Sequence, residues 1–299
     1  MSRPIWTQDA LRSEARPYAG PAWRFVEAQH RVSTLKLVDS LAEQAALEEI
    51  LEATKPPLPE DCRALDYLLA TPFRYRPYPA GSRFRRAGLT PGVWYGAEAP
   101  ETAAAEMVFY RFLFYAESPE TPFPDDAAEY TAFSAEVATP AAVDLTAGAL
   151  AADHAVWTHL TDYAACQDLA EEARAIGAEV IRYASVRDPA RGANLAVLTC
   201  RAFAAPQPVE RQTWRIRIGP TGAQALREYP RLGIEFPKDS FATDPRLLGM
   251  VWDRARAVGT HHVRRAERST CGRVQIGSGL LSISRRTHSS RSRSGIMRA

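Results

Sequence analysis

A single carboxylate stands out on an apolar stretch of this 299-residue chain. Glu106 lies within ETAAAEMVFYRFLFY, residues 101–115, whose length and alanine content predict a buried helix that begins after Pro100. A carboxylate in such surroundings must be paired, or desolvated at considerable cost. Glu106 is therefore either part of a structural ion pair, with Arg111 or an arginine upstream, or a residue kept for chemistry.

Three arginines crowd a short segment upstream of that helix. Arg83, Arg85 and Arg86 are followed by a predicted strand over 93–97 that carries Tyr95. A guanidinium matches the paired oxygens of a phosphate better than an ammonium does, and a tyrosine can both stack on a planar ligand and hydrogen-bond to it. The same residues also fit an exposed basic edge strand next to a core aromatic.

A second polar group follows a predicted strand over 179–184. Ser185 comes directly after this strand, and a polar loop then leads to Asn194, which opens the next predicted strand over 194–201. Binding residues commonly collect at strand ends and loops, although a serine here can equally satisfy a turn. The Gly-x-Ser-x-Gly pattern is absent around Ser185, which argues against a hydrolase-type nucleophile.

The spacing of these residues resembles that of the RES-domain family, bacterial proteins named for an Arg, a Glu and a Ser. Family members have an Arg ten residues before a strand Tyr and a Glu eleven residues after it, and Arg85, Tyr95 and Glu106 satisfy both intervals. The sequence IRYASVRDPARGAN around Ser185 also resembles the family. Arg83 remains a second candidate for the site arginine, because SRFRR stands where many members have Gly-Gly-Arg-Trp-Asn.

The resemblance covers roughly residues 72–218 and implies a fold like that of the ADP-ribosyltransferases, with NAD as the substrate. Glu106 would stabilise the positive charge that builds on the ribose as nicotinamide leaves. Arg85, or Arg83, would hold the pyrophosphate, and Tyr95 would stack on nicotinamide.

Two further residues complete the set that the resemblance implies. Ser185 would hydrogen-bond the carboxamide or the ribose, and Asn194 is a further candidate for binding NAD. The chemistry requires no metal, and water, phosphate and a protein side chain all remain open as acceptors. A Gly-x-Gly-x-x-Gly motif is absent, which counts against a dehydrogenase-type use of NAD.

Family members are often encoded as toxins beside an Xre-type antitoxin, so the resemblance also implies a protein partner that blocks the pocket. A predicted amphipathic helix over 33–53 is a candidate surface for that partner or for self-association, and a core role for it stays open. The altered sequence around Arg85 leaves an alternative function, a non-catalytic module that only pairs with a partner.

The elements that must position these residues are short and mixed, which predicts an α+β fold. Prolines at 72, 77 and 79 mark a boundary, so we expect a helical N-terminal extension over 1–71, a RES domain over 72–250 and a basic Ser/Arg-rich tail over 251–299. Further helices are predicted over 60–70 and 162–176, the latter between Asp162 and Gly177, and further strands over 130–138, 141–146 and 213–218.

The charge is divided unevenly along the chain. Residues 254–299 contain 11 Arg and one acid, so they carry a net charge of +10, and the preceding residues carry −8 within the total of +2. The composition of the tail is typical of disorder, and it also fits a cloning or reading-frame artefact or, with less support, an electrostatic nucleic-acid arm. The acidic remainder argues against nucleic acid as the main substrate.

The cysteines and the hydropathy pattern indicate in which cellular compartment the protein is expected. The four cysteines are widely spaced without a Cys-x-x-Cys pair, which predicts reduced thiols in a cytoplasmic protein and no zinc site. The first twenty residues have no apolar core of a secretory signal, and no run of 18 apolar residues occurs, so neither export nor a membrane span is expected.

Overall fold

An eight-stranded sheet forms the centre of the fold in the computed structural model, which describes residues 6–27, 37–75 and 77–254 and the short strands 274–275 and 280–281. In chain order the sheet contains β1 (Arg16–Glu27), β2 (Trp94–Ala97), β3 (Ala128–Asp144), β4 (Val180–Ala184), β5 (Ala193–Val197), β6 (Glu210–Gly219), β7 (Gly222–Arg227) and β8 (Leu232–Pro237). β9 (Val274–Gln275) and β10 (Leu280–Leu281) pair only with each other.

Five of these strands close into a ring. The order of the sheet is β1-β2-β5-β4-β3-β6-β7-β8, and β1 also pairs with β3, so that the chain of pairings β1-β2-β5-β4-β3 returns to β1. One apolar cluster takes side chains from all five strands and fills the interior of the ring; its members include Ala22, Trp94, Phe133, Val180, Leu195 and Val197. Residues that alternate with these point outwards, and the candidate site residues Tyr95 on β2 and Asn194 on β5 are among them.

Six helices lie around the sheet in the described residues: α1 (Gln8–Glu14), α2 (Leu41–Ala53), α3 (Tyr67–Arg74), α4 (Pro100–Ala116), α5 (His154–Trp157) and α6 (Ala164–Ala175). Together with the sheet they confirm the α+β class. α4 is buried nearly all round, as expected, because it lies between the sheet and the C-terminal segment, where Phe112 contacts Phe241 and Trp252.

The predicted helix over 162–176 is confirmed with slightly narrower bounds. The carboxylate of Asp162 accepts a hydrogen bond of 3.0 Å from the backbone N–H of Ala164 at the start of α6. Gly177 follows the helix with a φ of +79°, a conformation that glycine adopts without a Cβ clash.

The other helix predictions need correction. The helix expected over 33–53 begins only at Leu41, because Ser40 caps it by accepting a hydrogen bond of 3.2 Å from the N–H of Glu43; residues 33–36 lie outside the described part. The helix expected over 60–70 is a short 3-10 turn, Glu60–Cys62, followed by α3.

The predicted boundary at residue 72 falls inside α3. Pro72 lacks the N–H that would bond to the carbonyl of Leu68, and that carbonyl instead accepts a 3.1 Å hydrogen bond from the indole of Trp94. The proline is tolerated because a side chain from β2 takes over the bond that it removes.

The N-terminal segment differs from the helical extension predicted for 1–71. β1 is a twelve-residue strand, and it pairs with β3 along nearly its whole length. Trp23 and Phe25, two residues apart on β1, are buried on one face of the strand. The division into three regions stays a prediction, and the tail 251–299 lies almost wholly outside the described residues.

The strand predictions downstream of α4 are largely confirmed. The strands predicted over 130–138 and 141–146 form one strand, β3, whose register against β1 shifts beside Pro140. A proline is tolerated at such an irregularity because the ladder is interrupted there. β4, β5 and β6 confirm the strands predicted over 179–184, 194–201 and 213–218, although β5 ends at Val197 rather than at 201. β7 and β8 were not predicted.

The expectation of four reduced cysteines is wrong. Cys62 and Cys200 form a disulfide with their Cα atoms 5.5 Å apart, which links the turn before α3 to the turn after β5, whereas Cys166 is a buried free thiol. Cys271 lies outside the described residues. No helix in the described ranges has the length and apolarity needed to cross a membrane. The cytoplasmic location stays a prediction.

Candidate functional site

The carboxylate of Glu106 is held by two neutral groups, one on β5 and one directly after β4. The hydroxyl of Ser185, directly after β4, and the side-chain N–H of Asn194, on β5, each donate a 2.7 Å hydrogen bond to Oε1. Arg111, one suggested ion-pair partner, instead contacts Glu27 at 3.2 Å. Within the described ranges Glu106 forms no ion pair, and Oε2 accepts no hydrogen bond, so it is free to face a ligand.

Ser185 is fixed from three directions. Its backbone N–H donates to the carbonyl of Gly192 at 2.8 Å, and its Oγ accepts from the N–H groups of Arg187 and Asp188 at 3.2 and 3.1 Å. The hydroxyl hydrogen is thereby directed at Glu106. Ser185 therefore satisfies the turn and also donates to Glu106, so the turn contacts do not exclude the predicted site role.

The loop after Ser185 is tied to α4. The Asp188 carboxylate accepts a 2.7 Å hydrogen bond from Thr102 Oγ1 and a 3.1 Å bond from the N–H of Gly192. Gly192 is required here, because a Cβ at this position would lie 2.2 Å from Thr102 Oγ1. Thr102 lies one helical turn before Glu106, so this bond sets Ser185 relative to the carboxylate.

Asn194 carries an unused acceptor. Its Nδ2 donates to Glu106, while its buried Oδ1 has no hydrogen-bond partner. A buried amide oxygen without a donor is unfavourable, so a ligand N–H or O–H would complete it.

Arg85 and Tyr95 form a second hydrogen-bonded group with Ser82. The hydroxyls of Ser82 and Tyr95 are 2.8 Å apart, and Arg85 donates to Ser82 Oγ at 3.5 Å and to the carbonyl of Ala80 at 3.0 Å. Arg85 is 5% exposed and its guanidinium lies 4.4 Å from the centroid of the Tyr78 ring. Burial lowers the pKa of Arg85, and none of the described carboxylates counteracts this shift.

The three clustered arginines diverge in the structure. Arg83 points towards α5 and α6, where it donates to the carbonyl of Trp157 at 2.6 Å and lies over the ring of Tyr163. Arg86 pairs with the carboxylates of Asp168 and Glu171 on α6. Arg85 is therefore the arginine that the structure places beside Tyr95, and the proposed exposed basic edge strand does not form, since Arg83 and Arg85 are buried.

Tyr183 lies between the two groups and was missed in the sequence. Burial raises the pKa of its hydroxyl well above the ordinary value, and the charge of Glu106 and the nearby Tyr95 raise it further, whereas Arg83 lowers it. Its ring packs edge-on against Phe84 at 4.9 Å. The period of two along β4 could have found it, because Tyr183 and Ser185 point to the same face of the strand.

A buried ion pair from the C-terminal segment supports the same region. Arg187 contacts Asp244 at 3.0 Å and lies 4.0 Å from the centroid of the Phe109 ring, and Arg246 contacts the same carboxylate at 2.9 Å. Burial and the charge of Glu106 raise the pKa of Tyr110, which these two arginines partly oppose. Sequence patterns gave no signal for Asp244, because it lies about 60 residues after Ser185.

Metal ligation is not indicated in the part of the chain that the structure describes. It contains no group of three or more His, Cys, Asp or Glu side chains that could hold a metal ion.

The fold and site thus define an α+β protein in which a serine and an asparagine hold a carboxylate. A separate group joins an arginine to a serine and a tyrosine. The RES domain, as a family model, matches residues 58–218, just over half of the chain. The chain belongs to the RES-domain family, as its spacing predicted. The match includes all six candidate site residues: Arg83, Arg85, Tyr95, Glu106, Ser185 and Asn194.

Comparison with solved structures finds three matching chains. One comes from the crystal structure of the M. tuberculosis MbcT–MbcA toxin–antitoxin complex, with 16% sequence identity and a TM-score of 0.39 over 68% of this chain and 89% of that chain. No curated protein matches significantly.

Proposed function

We propose that this protein cleaves the bond between nicotinamide and ribose in NAD. The observation that carries the proposal is the Glu106 carboxylate, which is oriented through Oε1 by Ser185 and Asn194 and leaves Oε2 for a ligand. As the C1′–N bond breaks, its electron pair leaves with nicotinamide and positive charge builds on the ribose. A preorganised carboxylate stabilises that charge where it develops.

The remaining roles follow from the donors and acceptors around Glu106. Asn194 Oδ1 accepts from a ribose hydroxyl, which supplies the partner that this buried atom lacks. Tyr95 packs against nicotinamide, and Arg85 binds the pyrophosphate, since no carboxylate of the described ranges competes for its guanidinium. A water or a phosphate oxygen then attacks C1′, and the attacking water gives its proton to Glu106 or to solvent.

The family suggests the biological setting. We infer that the chain is the toxin of a toxin–antitoxin pair and that an Xre-type antitoxin blocks access to Glu106. Consumption of NAD would arrest growth. A partner that covers the site would prevent this consumption for as long as it stays bound.

The test is release of nicotinamide from NAD by the purified chain, with and without inorganic phosphate. Release that needs phosphate identifies phosphorolysis, and release without it identifies hydrolysis. Glu106→Gln keeps the shape and the hydrogen-bond acceptor but removes the charge, so we expect at least a hundredfold loss of rate, about 2.7 kcal/mol in the barrier.

Glu117→Gln provides the matched control, since Glu117 is exposed at the end of the same helix. It should react like the unmodified chain. Intact NAD after prolonged incubation in both buffers would refute the proposal, and would favour a non-catalytic module that only pairs with a partner. Equal rates for Glu106→Gln and the unmodified chain would remove Glu106 from the mechanism.

A further inference from the structure

The C-terminal segment, residues 238–254, packs against α4, the helix that carries Glu106. The ring of Phe241 lies edge-on against the ring of Phe109 on this helix, with the centroids 5.5 Å apart. The family model matches residues 58–218, so the whole segment lies beyond the matched domain. Its contacts with the site are therefore supplied by a part of the chain that the family pattern does not include.

Asp244, in this segment, holds the side chain of Arg187 in the loop between β4 and β5, residues 185–192. Oδ2 of Asp244 lies 3.0 Å from Nη1 of Arg187, and the two side chains are only 2% and 4% exposed. Nη2 of Arg187 also donates a 3.3 Å hydrogen bond to the carbonyl of Leu160. A guanidinium removed from water needs such partners, and in the described residues Asp244 is the carboxylate that supplies one.

Arg187 connects this loop to α4. Its guanidinium carbon lies 4.0 Å from the centroid of the Phe109 ring, and Phe109 follows Glu106 by three residues, about one helical turn. The backbone N–H of Arg187 donates to Ser185 Oγ at 3.2 Å, and that hydroxyl donates to Glu106 at 2.7 Å. One residue thus contacts the serine through its main chain and the helix of the carboxylate through its side chain.

The loop is attached to α4 at two points, with Glu106 between them along the helix. The hydrogen bond from Thr102 to Asp188 lies about one turn before Glu106, and the contact with Phe109 lies about one turn after it. A single attachment would let the loop pivot about it. Two attachments fix the position of Ser185 relative to the carboxylate, and such positioning is what the chemistry requires.

We propose that Asp244 is a positioning residue for the cleavage reaction. It holds Arg187 against Phe109 and thereby keeps the hydroxyl of Ser185 directed at Glu106. This inference rests on the proposed function and adds to the site a residue from outside the matched domain.

Arg246 offers a comparison within the same cluster. It donates to Asp244 Oδ2 at 2.9 Å and to the carbonyl of Leu160 at 3.3 Å, and within the described ranges it makes no hydrogen bond to residues 185–192. Arg246→Gln removes the second ion pair of Asp244 and leaves the pair with Arg187 in place. It is therefore the matched control for Asp244→Asn, which removes the charge from both pairs.

The first measurement is amide hydrogen exchange in the full chain, followed in peptides that cover residues 185–192. Asp244→Asn should speed exchange there by about tenfold or more, because the N–H groups of Arg187 and Asp188 lose protection when the side chain of Arg187 is released. Arg246→Gln should leave it within about twofold. Loop amides exchange by local opening, so a loss of global stability alone does not change their rate.

The second measurement is nicotinamide release from NAD by the same variants. Asp244→Asn should lower kcat by about tenfold and leave KM unchanged, because the serine is displaced while Arg85 and Tyr95 lie on other elements. Arg246→Gln should keep kcat within about twofold of the unmodified chain. Loop exchange that is unchanged in Asp244→Asn would overturn the proposal, and so would faster exchange with an unchanged kcat. An equal effect of Arg246→Gln would also overturn it, since the cause would then be a general loosening.

Arg187→Lys covers the case in which Asp244→Asn fails to fold. It keeps the positive charge but removes the planar group that contacts Asp244, Leu160 and the Phe109 ring together. We expect faster loop exchange and a lower kcat, and an unchanged loop would then overturn the proposal. The proposed function fails separately. An unmodified chain that releases no nicotinamide refutes the cleavage, and the exchange measurement still decides whether Asp244 fixes the loop.

Discussion

Thr102 and Asp188 are joined by a 2.7 Å hydrogen bond between α4 and the loop after β4. Thr102 precedes Glu106 by one helical turn, and Asp188 follows Ser185 by three residues. The bond therefore connects the two elements that carry the carboxylate and the serine. Neither side chain is a hydrogen-bond partner of the Glu106 carboxylate, which Ser185 and Asn194 hold, so we regard both as positioning residues.

Thr102→Val removes this hydrogen bond and keeps the size of the side chain. We expect nicotinamide release to slow about tenfold, because Ser185 is then less well fixed, and the free energy of unfolding to fall by about 1–2 kcal/mol. Rates and urea denaturation curves check both. Thr213→Val, at an exposed position of β6, is the control. A rate unchanged by Thr102→Val would show that the loop holds Ser185 without this bond.

Gly192→Ala tests the same loop by adding a Cβ atom where there is no room for one. The new Cβ would lie 2.2 Å from Thr102 Oγ1 and 2.8 Å from Asp188 Oδ2, so the bond between these atoms must shift. We expect a loss of about 1–3 kcal/mol in the free energy of unfolding, as for other overpacked positions. Gly233→Ala, where a Cβ meets nothing within 4 Å, should change stability far less. Equal urea midpoints for the two variants would contradict the prediction.

The candidate site was partly predictable because its residues sit on elements with clear periodicity. Glu106 is on a long apolar helix, Tyr95 on a short strand, and Ser185 directly after another strand; the structure has all three elements. The spacing in the sequence also linked Arg85 to Tyr95. That both residues contact Ser82 is seen only in the structure.

The parts that were missed depend on contacts between distant segments. Asp244 contacts Arg187 across the fold, and β1, near the N-terminus, pairs with β3 more than 100 residues later. The disulfide between Cys62 and Cys200 spans 138 residues. Local pattern carries no information on such pairs, because each partner alone resembles an ordinary surface or core residue.

Asn194→Leu tests the unused acceptor beside Glu106. The change removes both the donor to Oε1 and the buried Oδ1 while keeping a similar volume. We expect nicotinamide release to fall by about tenfold to a hundredfold, since a charged acceptor loses one of its two donors. Stability should change little, because an unsatisfied buried atom is removed with the lost bond.

A second substitution at the same position, Asn194→Asp, tests the hydrogen bond from Nδ2 separately. Asn194→Asp retains the shape but places a second negative charge against Glu106, so it should be at least as damaging as leucine. If Asn194→Asp were fully active, the hydrogen bond from Nδ2 would have no role in orienting the carboxylate. Steady-state rates at saturating NAD separate a loss in turnover from a loss in binding.

Asp244→Asn should change how stability depends on acid. Burial raises the pKa of Asp244, but hydrogen bonds from Arg246 and the charge of Arg187 outweigh it, so that the folded-state pKa lies below the ordinary 3.8. A depressed carboxyl pKa adds stability that is present above the unfolded-state value and is lost as pH falls through the folded-state value.

The Asp244→Asn variant should therefore be less stable at pH 7, by about 3 kcal/mol, because two guanidiniums lose their partner. The difference from the unmodified chain should begin to narrow below about pH 3.8, where the carboxyl of the unfolded chain takes up a proton, and it should close as pH falls through the lower folded-state pKa. Urea denaturation at pH 7 and at about pH 3 measures this difference in stability.

Asp253→Asn is the control, since Asp253 is exposed and forms no ion pair with the described residues, and it should show no pH-dependent difference. A gap for Asp244→Asn that stayed constant with pH would mean that the carboxylate acts through packing rather than charge.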